Sequence, residues 1–192
     1  MLERDDYIVV DIEGTGRFGP ENSIVEIACL RVVGPDVYEG KQWLVKPKCP
    51  ITRNGTRIHG ISNDDVEDCP TIQDVSSDII SFARNGIYVG HSIGADIDVI
   101  SREIPEWRPV SKVDTLRMAR RYFEDAPSHK MFDLISYIDA ELEVMQLFRN
   151  VFESSPYEGS YHRAAYDVCA CSVLYHRILA LQNTDAQRDL LL

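Results

Sequence analysis

The sequence predicts an α/β fold: a mixed five-stranded sheet, its first three strands antiparallel, flanked by the helices that join the later strands. Three observations predict it. Residues 7–13 form a β-branched run of strand length that ends in a glycine-rich turn. Two more strand-length runs, 24–33 and 37–45, follow across a short turn. Beyond residue 70 the apolar period changes, and helical spacings alternate with short apolar runs at 87–91 and 110–113.

Each element has its own signal. Tyr7-Ile8-Val9-Val10-Asp11-Ile12-Glu13 reads as a strand buried on both faces and ending at Gly14-Thr15-Gly16. Gly34-Pro35-Asp36 supplies the turn that pairs the second and third strands as a meander. Residues 46–63 read as irregular, closing on Ile58-His59-Gly60-Ile61, and Ser62 with Asp65 resembles a capping box for a short helical turn. Pro70-Thr71 opens a helix with Ile72, Val75, Ile79, Phe82 and Ala83 in register, stopped by Asn85-Gly86. Ile87 to His91 is the fourth strand. Ile97, Ile100 and Ile104 then recur with helical period from Ala95 to Pro105, which puts Asp96 in a first turn. A fifth strand near Val110 to Val113 leads to a helix carrying Leu116, Ala119 and Phe123, and 132–140 forms another. Residues 141–161 show weak periodicity, with turn residues Ser154-Ser155-Pro156 and Gly159. A last helix runs from about Ala164 to Leu181, with Cys171, Leu174 and Ile178 in register with Asp167.

The 192 residues suit one domain covering 1–192, with 183–192 expected to fray. A net charge of −11 opposes broad duplex binding, which depends on many Lys and Arg neutralising phosphates, so a nucleic acid would have to be gripped locally. Five cysteines, scattered and without paired spacing, read as reduced, mostly buried thiols. No signal peptide is evident, and no segment reads as approaching the ~20 apolar residues of a membrane span, so the expected location is cytoplasmic.

Chemistry is concentrated in four acids. Asp11 and Glu13 are two apart on a strand, so both side chains leave the same face. Adjacent carboxylates at a buried strand end repel and lose hydration unless a cation neutralises them, and Mg²⁺ or Mn²⁺ suits all-oxygen ligands. Alone, Asp11-x-Glu13 also reads as a polar strand end entering a loop. Asp96 offers a third acid at a helix start, where it could instead serve the helix dipole. Asp98, two helical residues on, faces about 200° away and is left out. Asp167 lies on a core-facing stripe where an unpaired charge needs a partner. His162 would lie about 140° from it on a continuous helix, so both reach one site only if His162 precedes the helix or sits in a frayed turn, with Gly159-Ser160 as the approach.

Together these pieces resemble the DnaQ-like, DEDDh-type 3′→5′ exonucleases. Val10-Asp11-Ile12-Glu13-Gly14-Thr15-Gly16 matches the first motif, Val89 to Asp96 the second, and Tyr161-His162-Arg163-Ala164-Ala165-Tyr166-Asp167 the third. Ile24-Val25-Glu26-Ile27-Ala28, Ile58-His59-Gly60-Ile61 and the segment 113–120 resemble connecting elements, so the likeness spans nearly the whole chain. Arg163 stands where the tyrosine-type sister group has its tyrosine, and histidine stands one residue earlier. Ser92 departs from the usual asparagine, and Ala95 from the usual aromatic.

The resemblance implies a ribonuclease H-like fold. It also implies hydrolysis of the 3′-terminal phosphodiester, releasing 5′-nucleoside monophosphates. DNA is placed before RNA as substrate; RNA trimming and a silent nucleic-acid or polymerase-binding module are the alternatives. Two Mg²⁺ ions, replaceable by Mn²⁺ and about 3.5–4 Å apart, would be held by Asp11, Glu13, Asp96 and Asp167. His162 would take the proton from the attacking water, since histidine titrates near neutral pH. Gly14, Thr15 and His59 would help form the pocket for the terminal nucleoside, although His59 also reads as an ordinary loop residue. Arg163 and Arg57 are candidates for phosphate contact, and His91, His129 and His176 carry no assignment. Implied partners are a 3′ end, single-stranded before duplex, and a polymerase or repair protein, with no membrane and no stated oligomeric state.

Overall fold

The computed structural model describes residues 6–17, 19–34, 37–84, 86–152 and 160–189. Its sheet contains β1 (Asp6–Gly14), β2 (Ile24–Val33), β3 (Val37–Leu44), β4 (Ile87–Gly90) and β5 (Ser111–Asp114). They stand in the order β3-β2-β1-β4-β5. β1 pairs antiparallel with β2, which pairs antiparallel with β3, whereas β1–β4 and β4–β5 are parallel. β1 is thus the centre of the sheet and the place where strand direction switches.

Alternation along β1 sorts its residues between two cores. Ile8 and Val10 join Ile24, Ile27 and Cys29 against α2 (Ile72–Ala83) and α3 (Gly94–Glu103). Tyr7 and Val9 join Ala28, Leu30 and Val32 on the other face, under α4 (Thr115–Tyr122), α5 (Met131–Tyr137), α6 (Glu141–Val151) and α7 (Ala164–Asp189). Asp11 and Glu13 continue the 7, 9 series, so the sheet aims both acids towards the α7 side.

Local chemistry explains most boundaries. Thr71 caps α2 through a capping box with Asp74, and Ser62 and Asp65 exchange hydrogen bonds ahead of the short turn Asp64–Val66. The structure departs from the sequence expectation at four places. A helix, α1 (Arg53–His59), occupies part of the segment expected to be irregular; Thr52 caps it and Gly60, at φ +77°, ends it. Gly55 hides this helix in the sequence, and its lack of a side chain lets the Thr15 carbonyl lie against the helix. The chain leaves α5 at Tyr137 rather than Ala140, because Asp139 takes φ +53°. α6 occupies a stretch of apparently weak periodicity, yet Val144, Leu147, Phe148 and Val151 form an i, i+3, i+4, i+7 stripe against the core. α7 runs on to Asp189, eight residues past its expected end.

The turn residues Pro35, Asp36, Ser154, Ser155, Pro156 and Gly159, the helix stop Asn85 and the tail from residue 190 lie outside the described residues. All five cysteines are free, three of them buried. One stretch of α7, Ala164–Thr184, is long and apolar enough to cross a membrane by length and composition, correcting the expectation that no segment approaches this; most of it is buried inside the fold. In β3, Gly40 lies under Val151 and Phe152, where a Cβ would collide.

Gly16, at φ +74°, has Thr52 Oγ1 2.5 Å and the Gly55 nitrogen 2.9 Å from where a Cβ would stand. Gly16→Ala combines a left-handed backbone penalty with a close contact. It should cost about 2–3 kcal/mol, read as a lower urea midpoint at unchanged m-value.

Candidate active site

The floor of the site is the exit of β1. The β1–β2 register shifts between Glu13 and Gly14, and the chain then folds under α1. Thr15 is fully buried, its N–H donating to Ser23 O at 3.0 Å and its carbonyl accepting from Thr52 N–H at 2.9 Å. Its hydroxyl accepts from Ser23 N–H and meets Asn22 Oδ1, both at 3.3 Å. His59 closes the clasp from the C-terminus of α1: Nδ1 accepts from Ile61 N–H at 3.1 Å, so Nε2 carries the proton and donates to Gly14 O at 3.2 Å. Burial holds its pKa below the ordinary histidine value, which suits that neutral tautomer. The side chains of Thr15 and His59 are therefore spent inside the protein, and this segment contributes shape.

Asp96 enters from the first turn of α3, and Asp98 is exposed, as helical geometry requires. The turn before α3 passes through Ser92 at φ +64°, with its N–H donating to Asp114 Oδ1 at 3.0 Å. The same oxygen accepts from Leu116 N–H and caps α4, tying β4, β5 and α4 together below Asp96.

Asp167 enters from the first turn of α7 and is 6% exposed. His162 precedes that helix, in a turn at φ +64°, which meets the requirement that the two reach one site. The backbone of His162 hydrogen-bonds the Asp167 carboxylate, whose Oδ1 is buried with no hydrogen-bond partner among the described residues. The His162 ring packs edge-on against Phe132 with its side chain exposed. Ligand atoms of Glu13, His162 and Asp167 all lie within 4.8 Å of one another.

Arg163, a candidate for phosphate contact in the sequence, is instead 8% exposed and forked onto Glu26 of β2, with Nε at 3.1 Å and Nη2 at 2.5 Å. Ala164 N–H, at the start of α7, donates to the same carboxylate at 3.0 Å. Sequence reasoning placed Glu26 only in a connecting element; an acid amid the buried run Ile24 to Leu30 was the available signal. Arg57 is exposed and bonds Asn54 Oδ1. His91 spans Thr115 Oγ1 and the His129 carbonyl, His129 reaches the Phe123 carbonyl, and His176 meets Tyr7 Oη at 2.6 Å.

Four acids therefore converge. Burial, then the charges of Asp167, Asp96 and Glu13, drive the Asp11 pKa well above the carboxylate range. Burial first, then Asp167 and Glu26, push Glu13 to about 9, and burial with Asp114 pushes Asp96 to about 7. Asp167 rises too, chiefly through burial. Oxygen donors that mutually repel, with one lone carboxylate oxygen buried beside them, fit a hard divalent cation.

The family profile described as "Exonuclease" matches residues 8–175. The chain belongs to the exonuclease family. It is similar to the DNA polymerase III subunit epsilon of Aquifex aeolicus, 26% identical over 90% of the chain and 80% of the relative. It is similar to the PolC-type DNA polymerase III of Bacillus subtilis, 25% identical over 93% of the chain but only 12% of that polymerase, so it spans about an eighth of that relative's length. Among solved structures, exonuclease X in complex with 5′-overhanging duplex DNA superposes with a TM-score of 0.69 at 24% identity, covering 92% of this chain and 93% of that one. Escherichia coli exonuclease I with a dT13 oligonucleotide gives 0.66 at 16% identity over 97% of this chain and 43% of the other. These likenesses establish the ribonuclease H-like fold. The exonuclease family is divalent-metal dependent, and the Glu13, His162 and Asp167 cluster offers such an ion ligands.

Two outcomes follow from the geometry. In chelator, unfolded carboxyls lose their protons near pH 4, while the folded chain retains them up to about 7 at Asp96 and about 9 at Glu13. The folded state binds more protons across that window, so stability falls as pH rises from about 4 to about 9. Melting curves in chelator should show that decline, shallower in Asp167→Asn and largely removed by Mg²⁺. Separately, Glu26→Ala removes the carboxylate onto which the buried Arg163 guanidinium forks and should cost about 3–5 kcal/mol in denaturant titrations.

Proposed function

We propose that the chain hydrolyses the 3′-terminal phosphodiester of DNA and releases 5′-nucleoside monophosphates. The observation that carries this reading is the convergence of Asp11, Glu13, Asp96 and Asp167, with the buried Asp167 Oδ1 lacking a partner and His162 at the open side. The named relatives are components of DNA polymerases, and the named structures hold DNA, which supports DNA as substrate and a polymerase as a partner.

The four carboxylates would hold two divalent ions, Mg²⁺ with Mn²⁺ as a substitute. When bound, such ions supply Lewis acidity at the scissile phosphate and lower the pKa of water. The protein's own part is positioning. Asp11 and Glu13 are fixed by the central strand through its pairing with β2, Asp96 by a helix start tied to β5, and Asp167 by a helix start pinned to β2. His162 would accept the proton of the attacking water. Its exposed ring lets that proton pass on to solvent, and its αL turn keeps the ring within 4.8 Å of Glu13 and Asp167. Gly14 and Thr15 would form the wall beside the terminal nucleoside through backbone shape, with His59 bracing them.

Matched 3′- and 5′-end-labelled DNA and RNA oligomers, single- and double-stranded, incubated with Mg²⁺ or Mn²⁺ and with chelator, test class, polarity, sugar preference and cofactor together. Shortening from the 3′ end of DNA, abolished by chelator, is expected. Asp11→Asn and Asp167→Asn should lower turnover by at least about 10³-fold with folding intact, in line with losing a group that acts on the transition state. Full activity in both variants would sink the assignment. His162→Gln should lower turnover by about 10²- to 10⁴-fold.

A further inference from the structure

The chain is strongly acidic, with a net charge of −11, yet its cations are not evenly spread. α4 presents Arg117, Arg120 and Arg121 at i, i+3 and i+4, neighbours on one helical face, all exposed. Lys112, on β5, is exposed beside them. None of the four takes part in an ion pair among the described residues. Arg120 and Arg121 gain something from the helix dipole, since they occupy the last turn, and Arg121 also lies over the Tyr122 ring. Arg117 and Lys112 have neither compensation. Like charges at helical neighbour spacing destabilise one another, so the cluster favours an anion.

Its position relative to the acids gives the patch meaning. Lys112, Arg117 and Arg121 line a cavity of about 470 Å³ together with Ile93 and Gly94, the latter two residues before Asp96. Asp114 also lines the cavity, and its charge acts on Asp96. The cationic groove therefore begins where the acidic centre ends.

We propose that this groove on β5 and α4 binds the phosphate backbone of the substrate strand upstream of its terminal nucleotide, an inference that rests on the nuclease reading above. Guanidinium groups grip phosphates bidentately, and a run of phosphates spans several such groups without reading bases. It also resolves how an acidic protein holds a polyanion: contact is confined to one groove and leaves the rest of the surface repulsive.

The test uses the full chain and a fluorescein-labelled 20-nucleotide single-stranded DNA, with binding followed by anisotropy in chelator at several salt concentrations. The variant Lys112→Gln/Arg117→Gln/Arg121→Gln should bind at least about tenfold more weakly and lower the salt slope by about 2, since each phosphate contact on a single strand contributes about 0.7. Arg117→Lys/Arg121→Lys keeps the charge and should retain most of the slope. With Mg²⁺, the triple variant should raise KM for the 20-mer and leave hydrolysis of the p-nitrophenyl ester of thymidine 5′-monophosphate, which needs only the terminal site, at the wild-type rate. An unchanged slope in the triple variant overturns the proposal. So does an equal loss on the small ester. A wild type that shows no salt-dependent binding also overturns it and points the patch towards an acidic protein surface. A wild type that binds but hydrolyses neither substrate refutes the nuclease reading and leaves the binding result to decide the groove.

Discussion

Mutual repulsion among buried carboxylates is the constraint around which this molecule is organised. Burial first, and then the negative charges around them, raise the proton affinity of Asp11, Glu13, Asp96 and Asp167, and the fold must hold them there regardless. It does so with different restraints. β1 is paired with β4 at Ile8 and Val9 and with β2 along its whole length, so its acids continue a central strand and are held in register opposite Ala28 and Glu26. Asp167 arrives on a helix whose first N–H and preceding arginine are both anchored to Glu26, a residue on the strand next to Glu13. Glu26 adds negative charge to the cluster, and Arg163 returns positive charge, so the same contact fastens α7 and moderates the field at Glu13.

Period and punctuation made much of this legible from the residues. β2 matches its expected bounds and β1, β4 and α2 nearly do, because continuous β-branched runs, Pro70-Thr71 and Gly86 leave little choice. The sorting of Asp11 with Glu13, and of Asp96 away from Asp98, needs only strand and helix geometry. The demand that His162 lie outside the last helix is likewise a matter of angles, and its left-handed turn meets it.

What was missed depends on partners far away in sequence. Gly55 reads as a turn residue until the Thr15 carbonyl is seen against it; α6 reads as irregular because exposed Leu142 and Met145 blur a stripe defined by contact with the core. Arg163 looks like a phosphate ligand from its place beside His162, yet its partner lies 137 residues upstream. His59 and Thr15 belong to the motifs, but their polar atoms satisfy the backbone. No local pattern encodes such pairings.

Gly40 carries a consequence for how this sequence can drift. α6 and the residue after it rest on β3 at a point where one partner has no side chain, so Val151 and Phe152 occupy the volume that position 40 gives up. The three sites share a single allotment of space. Any lineage that enlarges residue 40 must shrink 151 or 152 in compensation, or let α6 lift from the sheet. Substitutions there should therefore be found in concert, although position 40 is more than a hundred residues from 151 and 152.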